Sequence, residues 1–169
     1  MIIHKDWGKH LRLGNFLFVY YSLLAICKRT GQQMKLPDYF AWQYLLHPPE
    51  IDPGTQEHET FHFRTLTWSR EEQDWLYEHF GKNQEKVWNV NLGGNNQSEL
   101  WFQDEVEYIK EMCRFTPEAI ARVKEKYSYM FTKPTIGVGI RRGDFVGHGV
   151  FYQIPEDWYE KAIKEHFPD

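Results

Sequence analysis

The longest apolar run of the chain covers residues 16–27, with Ser22 as its one clearly polar member. A run of this length is too long for an ordinary strand and too short to cross a bilayer. It reads as a helix buried on most sides. Asn15 stands before it as an N-cap. Lys28 and Arg29 suit the last turn, and Gly31 suits the left-handed residue that follows. Residues 1–3 and 33–36 read as short strands on either side, the second stopped by Pro37. Together they predict a βαβ unit entered through a polar loop at 4–12.

Further along the pattern alternates. Residues 38–60 are irregular, marked by Pro48, Pro49, Pro53 and Gly54. Residues 61–68 have the aromatic and β-branched content of a strand. Ser69-Arg70-Glu71-Glu72 is a capping box that opens a helix to about Phe80. Residues 86–92 predict another strand, broken at 93–96. Leu100, Trp101, Val106, Ile109 and Met112 recur at helical spacing and predict a helix over 98–115. Thr116 and Pro117 suit the N-cap and first position of one running to about Met130. A β-branched run at 135–140 predicts a buried strand. A glycine-containing loop follows at 145–153, and Pro155-Glu156-Asp157 opens a last helix to about Phe167. Strands alternating with helices predict an α/β fold: a Rossmann-like parallel sheet with flanking helices.

Composition narrows the function. The 169 residues are 41% hydrophobic and 17% aromatic, enough for a sizeable core. A net charge of −4 argues against a general nucleic-acid binder. Most of the seven Trp and ten Tyr are expected to pack, with some free to stack on a sugar or base. Cys27 and Cys113 sit in apolar helical stretches, which predicts buried thiols in a reducing compartment, and no signal peptide is visible.

The candidate chemistry lies where the run at 135–140 ends in Arg141-Arg142-Gly143-Asp144. Two guanidinium forks at the end of a buried strand predict an anion site for a phosphate or diphosphate. Gly143 lets the backbone turn sharply there. The plain alternative is a surface turn with a local Arg–Asp pair. Asn15 reads equally as a cap or a ligand contact. Gln97-Ser98 reads as a helix cap first and a sugar contact second. His148 reads as a substrate contact or a solvated loop residue. His58-Glu59-Thr60-Phe61-His62 has zinc-protease spacing, but Pro53-Gly54 and an overlapping strand pattern argue against the single helical face it needs, so no metal is expected.

Three segments, in order, resemble one family. They are Arg12-Leu13-Gly14-Asn15-Phe16-Leu17-Phe18-Val19-Tyr20; Gly94-Asn95-Asn96-Gln97-Ser98-Glu99-Leu100-Trp101-Phe102; and Val138-Gly139-Ile140-Arg141-Arg142-Gly143-Asp144-Phe145-Val146, followed by Trp158-Tyr159-Glu160-Lys161-Ala162-Ile163. The set resembles the α-1,2-fucosyltransferases of glycosyltransferase family 11. Where the family has His before the apolar residue of its arginine motif, this chain has Gly139. Where the family has Gln after Gly-Asn, it has Phe16. The middle motif reads Gly94-Asn95-Asn96 in place of Gly-Tyr-Phe.

The resemblance implies the N-terminal part of a GT-B glycosyltransferase. On that basis residues 1–132 are an acceptor-side Rossmann-like domain, and 133–169 begin a GDP-sugar-binding domain, most of which would lie beyond Asp169. It implies an inverting transfer of L-fucose from GDP-fucose to a glycan hydroxyl, with no essential metal or other cofactor. Arg141 and Arg142 then contact the donor diphosphate, and Gly14, Asn15 and Gly143 line the donor site; Asp144, a third catalytic candidate, reads as orienting an arginine, with a catalytic base as the alternative. Gln97 and His148 are acceptor-side candidates. The partners are a nucleotide sugar and a glycan acceptor. The expected location is the cytoplasm, with peripheral membrane association through a lipid-linked acceptor. The alternative is a truncated, non-catalytic remnant that binds a glycan or a partner.

Overall fold

The computed structural model describes residues 1–5, 13–54, 60–64, 68–92, 98–140, 142–150 and 152–167. The chain divides into two compact units, Met1–Lys126 and Tyr127–Asp169.

Among the described residues the first unit is built on five parallel strands: β1 (Ile2–Ile3), β2 (Met34–Leu36), β3 (Glu50–Ile51), β4 (Thr60–Arg64) and β5 (Val87–Asn91). Their order across the sheet is β3-β2-β1-β5-β4. Helix α1 (Leu13–Thr30) links β1 to β2, and α2 (Arg70–Lys82) links β4 to β5. Both connections step across the sheet in the same direction. Right-handed crossovers therefore place both helices on one face, and α1 and α2 do pack together. The unit ends in α3 (Val106–Met112) and α4 (Pro117–Lys126). The parallel α/β reading and the first βαβ unit are as the sequence predicts. The two-residue β3 is not, since it lies in the proline-marked stretch read as irregular.

Register separates the two faces of the sheet. Ile2, Trp88 and Phe61 align across three strands, with Val90 and Phe63 aligned two residues further on. This row meets the helices: Phe80 of α2 lies 4.5 Å from Trp88, and Phe63 stacks on Trp75 at 5.3 Å. The opposite face carries Glu50, Lys35, Ile3, Asn89 and His62 in one transverse register row. Parallel sheets are usually apolar on both faces; here one face is largely polar.

Helix α1 is the centre of the core. Phe16, Tyr20, Leu23, Leu24, Ile26 and Cys27 are buried, each large apolar side chain contributing about 1.5–3 kcal/mol. The buried hydroxyls of Ser22 and Thr30 are satisfied within the helix: Ser22 Oγ donates to Phe18 O at 2.8 Å and Thr30 Oγ1 to Ile26 O at 2.7 Å. Gly31 ends it at φ 66°, the left-handed conformation expected there. Gln73, in α2, is 1% exposed. Its Nε2 donates to Tyr77 OH at 2.8 Å and Trp101 O at 3.2 Å, tying α2 to the turn at Glu99–Trp101.

Ser69 caps α2, its Oγ accepting from Glu72 N at 3.1 Å. Ser69→Ala is expected to lower stability by about 1 kcal/mol, read as a shift in the urea midpoint at constant slope. Thr116 caps α4 in the same way, accepting from Ala119 N at 3.2 Å. The helix expected over 98–115 is instead two 3-10 turns, Glu99–Trp101 and Gln103–Glu105, followed by α3. Phe102 leaves the helical region (φ −136°, ψ 4°). Trp101 is buried, and the Phe102 ring packs on Tyr21 and Phe18 of α1 at 5.6 and 6.0 Å. Tertiary packing of two aromatics has overridden local helical spacing.

Both cysteines are free thiols, Cys27 buried and Cys113 half-buried. Burial pushes each thiol up to about 12 and also raises the Tyr20 phenol. The unfolded chain releases thiol protons near the ordinary value of 9.0, while the folded chain still holds them. Stability is therefore full below that value and falls as pH rises toward 12. Urea midpoints are expected to be lower at about pH 10.5 than at about pH 8.5. A flat profile to that pH would show that the thiols are not sequestered.

The second unit holds a 3-10 turn at Ser128–Phe131, another at Gly143–Phe145, and α5 (Glu156–His166). Residues 135–140 form no strand. Ile136, Val138 and Ile140 are 45%, 43% and 47% exposed, which corrects the expected buried strand. A strand exists only when paired, and no register partner for this segment occurs among the described residues. Thr135 Oγ1 instead donates locally, to Met130 O and Lys133 O, both at 3.0 Å.

Candidate functional site

Two groups of expected site residues are described, one in each unit. Gly14 and Asn15 lie in the first turn of α1, because the helix starts at Leu13. Asn15 is thus inside the helix and is not its N-cap; the preceding position, residue 12, lies outside the described residues. The change still suits a ligand role. The first four amides of a helix have no partner within it, and here they include those of Gly14 and Asn15. No acidic side chain sits in that first turn. The positive end of an 18-residue helix therefore follows β1 at the carboxyl edge of a parallel sheet, the edge at which α/β folds bind ligands.

Phe16, one residue on, is 1% exposed. Its ring stacks on Tyr39 at 4.0 Å and tilts against Trp42 at 5.0 Å. It is a core residue, and this position offers nothing to a ligand.

In the second unit, Arg142 is exposed and its Nη2 donates to Glu156 Oε1 at 2.9 Å. Gly143 follows at φ 53°, a conformation that favours glycine. Its backbone turn closes through Phe145 N–H to Arg142 O at 3.0 Å and Val146 N–H to Gly143 O at 3.2 Å. The sharp turn expected of Gly143 is present, but it does not cap a buried strand. His148 Nδ1 accepts from Val150 N–H at 3.3 Å and so helps shape its own loop. Arg141, Gln97 and the side chain of Asp144 lie outside the described residues. Ser98 does act as a cap, its Oγ accepting from Leu100 N–H at 3.3 Å.

Thr60, Phe61 and His62 belong to β4. Successive strand side chains alternate faces, so the single helical face needed for zinc-protease chelation does not form there; His58 and Glu59 lie outside the described residues. Among the described residues no group of His, Cys, Asp and Glu is arranged to hold a metal ion. No described helix is long and apolar enough to cross a membrane.

Sequence reasoning missed two polar arrangements. The first is the Arg142–Glu156 pair, whose partners stand 14 residues apart. The second is a network on the polar sheet face. Lys5 N–H donates to Asn89 Oδ1 at 3.1 Å, and Asn89 Nδ2 faces His62 Nδ1 at 3.2 Å. The backbone donor requires the amide oxygen on its side, so Asn89 presents N–H to His62 and sets its neutral ring with the proton on Nε2. Asn89 and Asn91 alternating with Trp88 and Val90 were the available signal. An open groove of about 580 Å³ also runs between Leu46, Phe115 and Ile120, with Arg114 and Lys124 beside it. None of the expected site residues lines it.

The chain matches no family model, no curated protein and no solved structure.

Proposed function

We propose that the chain is a fucosyltransferase-like glycosyltransferase that takes L-fucose from GDP-fucose to a glycan hydroxyl with inversion. The observation that carries the reading is the ordered set of three motifs, around Gly14-Asn15, Gln97-Ser98 and Arg141-Arg142-Gly143-Asp144. The parallel sheet supports it, with a helix after β1 whose first turn carries no acidic side chain, as does the exposed guanidinium of Arg142 beside a glycine turn. The acceptor oxygen attacks the anomeric carbon, the bond from that carbon to the β-phosphate oxygen breaks, and a general base takes the acceptor proton. Arg141 and Arg142 stabilise the negative charge that develops on departing GDP, a role a metal ion plays elsewhere.

The test is release of GDP from GDP-fucose in the presence of a panel of glycans. Release that depends on a glycan, and that persists in EDTA, is the expected result. No release with any glycan, together with no binding of GDP or GDP-fucose at millimolar concentration, overturns the reading.

One observation favours a second reading, a non-catalytic remnant that binds a glycan or a partner. Ile136, Val138 and Ile140 are exposed and outside any sheet, so Arg142 lacks the rigid strand that preorganises a catalytic arginine. Glycan binding without GDP release would decide for it.

A further inference from the structure

Arg142 already holds an anion. Its Nη2 donates to Oε1 of Glu156 at 2.9 Å, across 14 residues of chain, from a position just before the Gly143 turn. The contact runs through one nitrogen of the guanidinium fork, whereas phosphates and carboxylates bind that fork best through two parallel bonds. Both side chains stay open to solvent, 47% and 76% exposed, so the pair is weak and exchangeable. Glu156 belongs to the first turn of α5. Once released it remains beside a helix N-terminus, where a carboxylate is favoured. The pair can therefore open without leaving Glu156 in an unfavourable place.

We propose that Glu156 is a resident stand-in for the donor phosphate: an internal carboxylate that occupies Arg142 until a nucleotide diphosphate displaces it. This rests on the reading of Arg142 as a diphosphate contact and adds a regulation to that site. Arg142 is held by Glu156 when no ligand is bound, and ligand affinity is set by competition. A diphosphate wins because it carries more negative charge than a carboxylate and can fill both arms of the fork.

The neighbouring acid supplies an internal control. Asp157 also lies in the first turn of α5 but pairs with Lys161, at 2.9 Å. Glu156→Gln and Asp157→Asn remove the same charge one residue apart, and only the first frees Arg142. Calorimetric titration of the full chain with GDP, and separately with inorganic pyrophosphate, is expected to show about two- to fivefold tighter binding in Glu156→Gln than in wild type. Asp157→Asn is expected to match wild type. Equal or weaker binding in Glu156→Gln, or the same tightening in Asp157→Asn, overturns the proposal and leaves the diphosphate site standing. No binding of either ligand by any of the three proteins overturns the diphosphate site and the proposal together.

Discussion

Arg142→Ala is expected to lower the proposed fucose transfer at least a hundredfold, about 3 kcal/mol in activation free energy. The size follows from where the charge develops. As the glycosidic bond to phosphate breaks, negative charge builds on the departing diphosphate, and a guanidinium that meets it there stabilises the transition state more than the ground state. Loss of ground-state binding alone would raise KM and spare kcat. The expected signature is therefore a fall in kcat and in kcat/KM together. Arg142→Lys should recover only part of the loss, because an ammonium offers a point charge in place of a fork. Near-wild-type turnover of Arg142→Ala would remove Arg142 from the chemistry.

Phe16→Gln is expected to lower stability by about 4 kcal/mol. This substitution installs the residue that the resembling family carries at the position. Here the Phe16 ring is 1% exposed, between Tyr39 and Trp42. Gln would remove the ring contacts, leave a gap and bury an amide with no partner placed for it. Against a typical total of about 5–15 kcal/mol for a domain, the loss should be visible as a much lower urea midpoint at an unchanged slope. A loss under about 1 kcal/mol would mean that the position is not core. A gain in GDP binding in the same variant would mean that it belongs to the ligand site after all.

Much of the first unit was legible because several signals agreed. The apolar run at 16–27, the basic last turn and Gly31 specified α1 together, and Ser69 with Glu72 specified the start of α2. The departures have physical causes. Glu50–Ile51 carries too little pattern to stand out, and it becomes a strand because β2 pairs with it. The stretch after Ser98 has helical spacing, but burial of Trp101 and packing of Phe102 on α1 break it. The segment at 135–140 reads as a strand by residue type and lacks a partner among the described residues. Asn15 has the chemistry of a cap, yet the helix runs past it to Leu13.

The candidate site was legible as residue types and less so as geometry. Arg142 and Gly143 were found from the motif, and the left-handed turn at Gly143 followed from glycine's freedom. That Glu156 meets Arg142 was not legible, because a pair 14 residues apart has no periodicity to announce it. Asn89 and His62 come from different strands and meet only through sheet register.

The proposed function requires that this chain bind a nucleotide diphosphate sugar through Arg142. Calorimetric titration of GDP-fucose into the wild-type chain and into Arg142→Ala tests it most directly. Saturable binding by wild type, with a dissociation constant below about 1 mM, and at least tenfold weaker binding by the variant are expected. No heat of binding by wild type at millimolar GDP-fucose, or equal affinity in the two proteins, would contradict it.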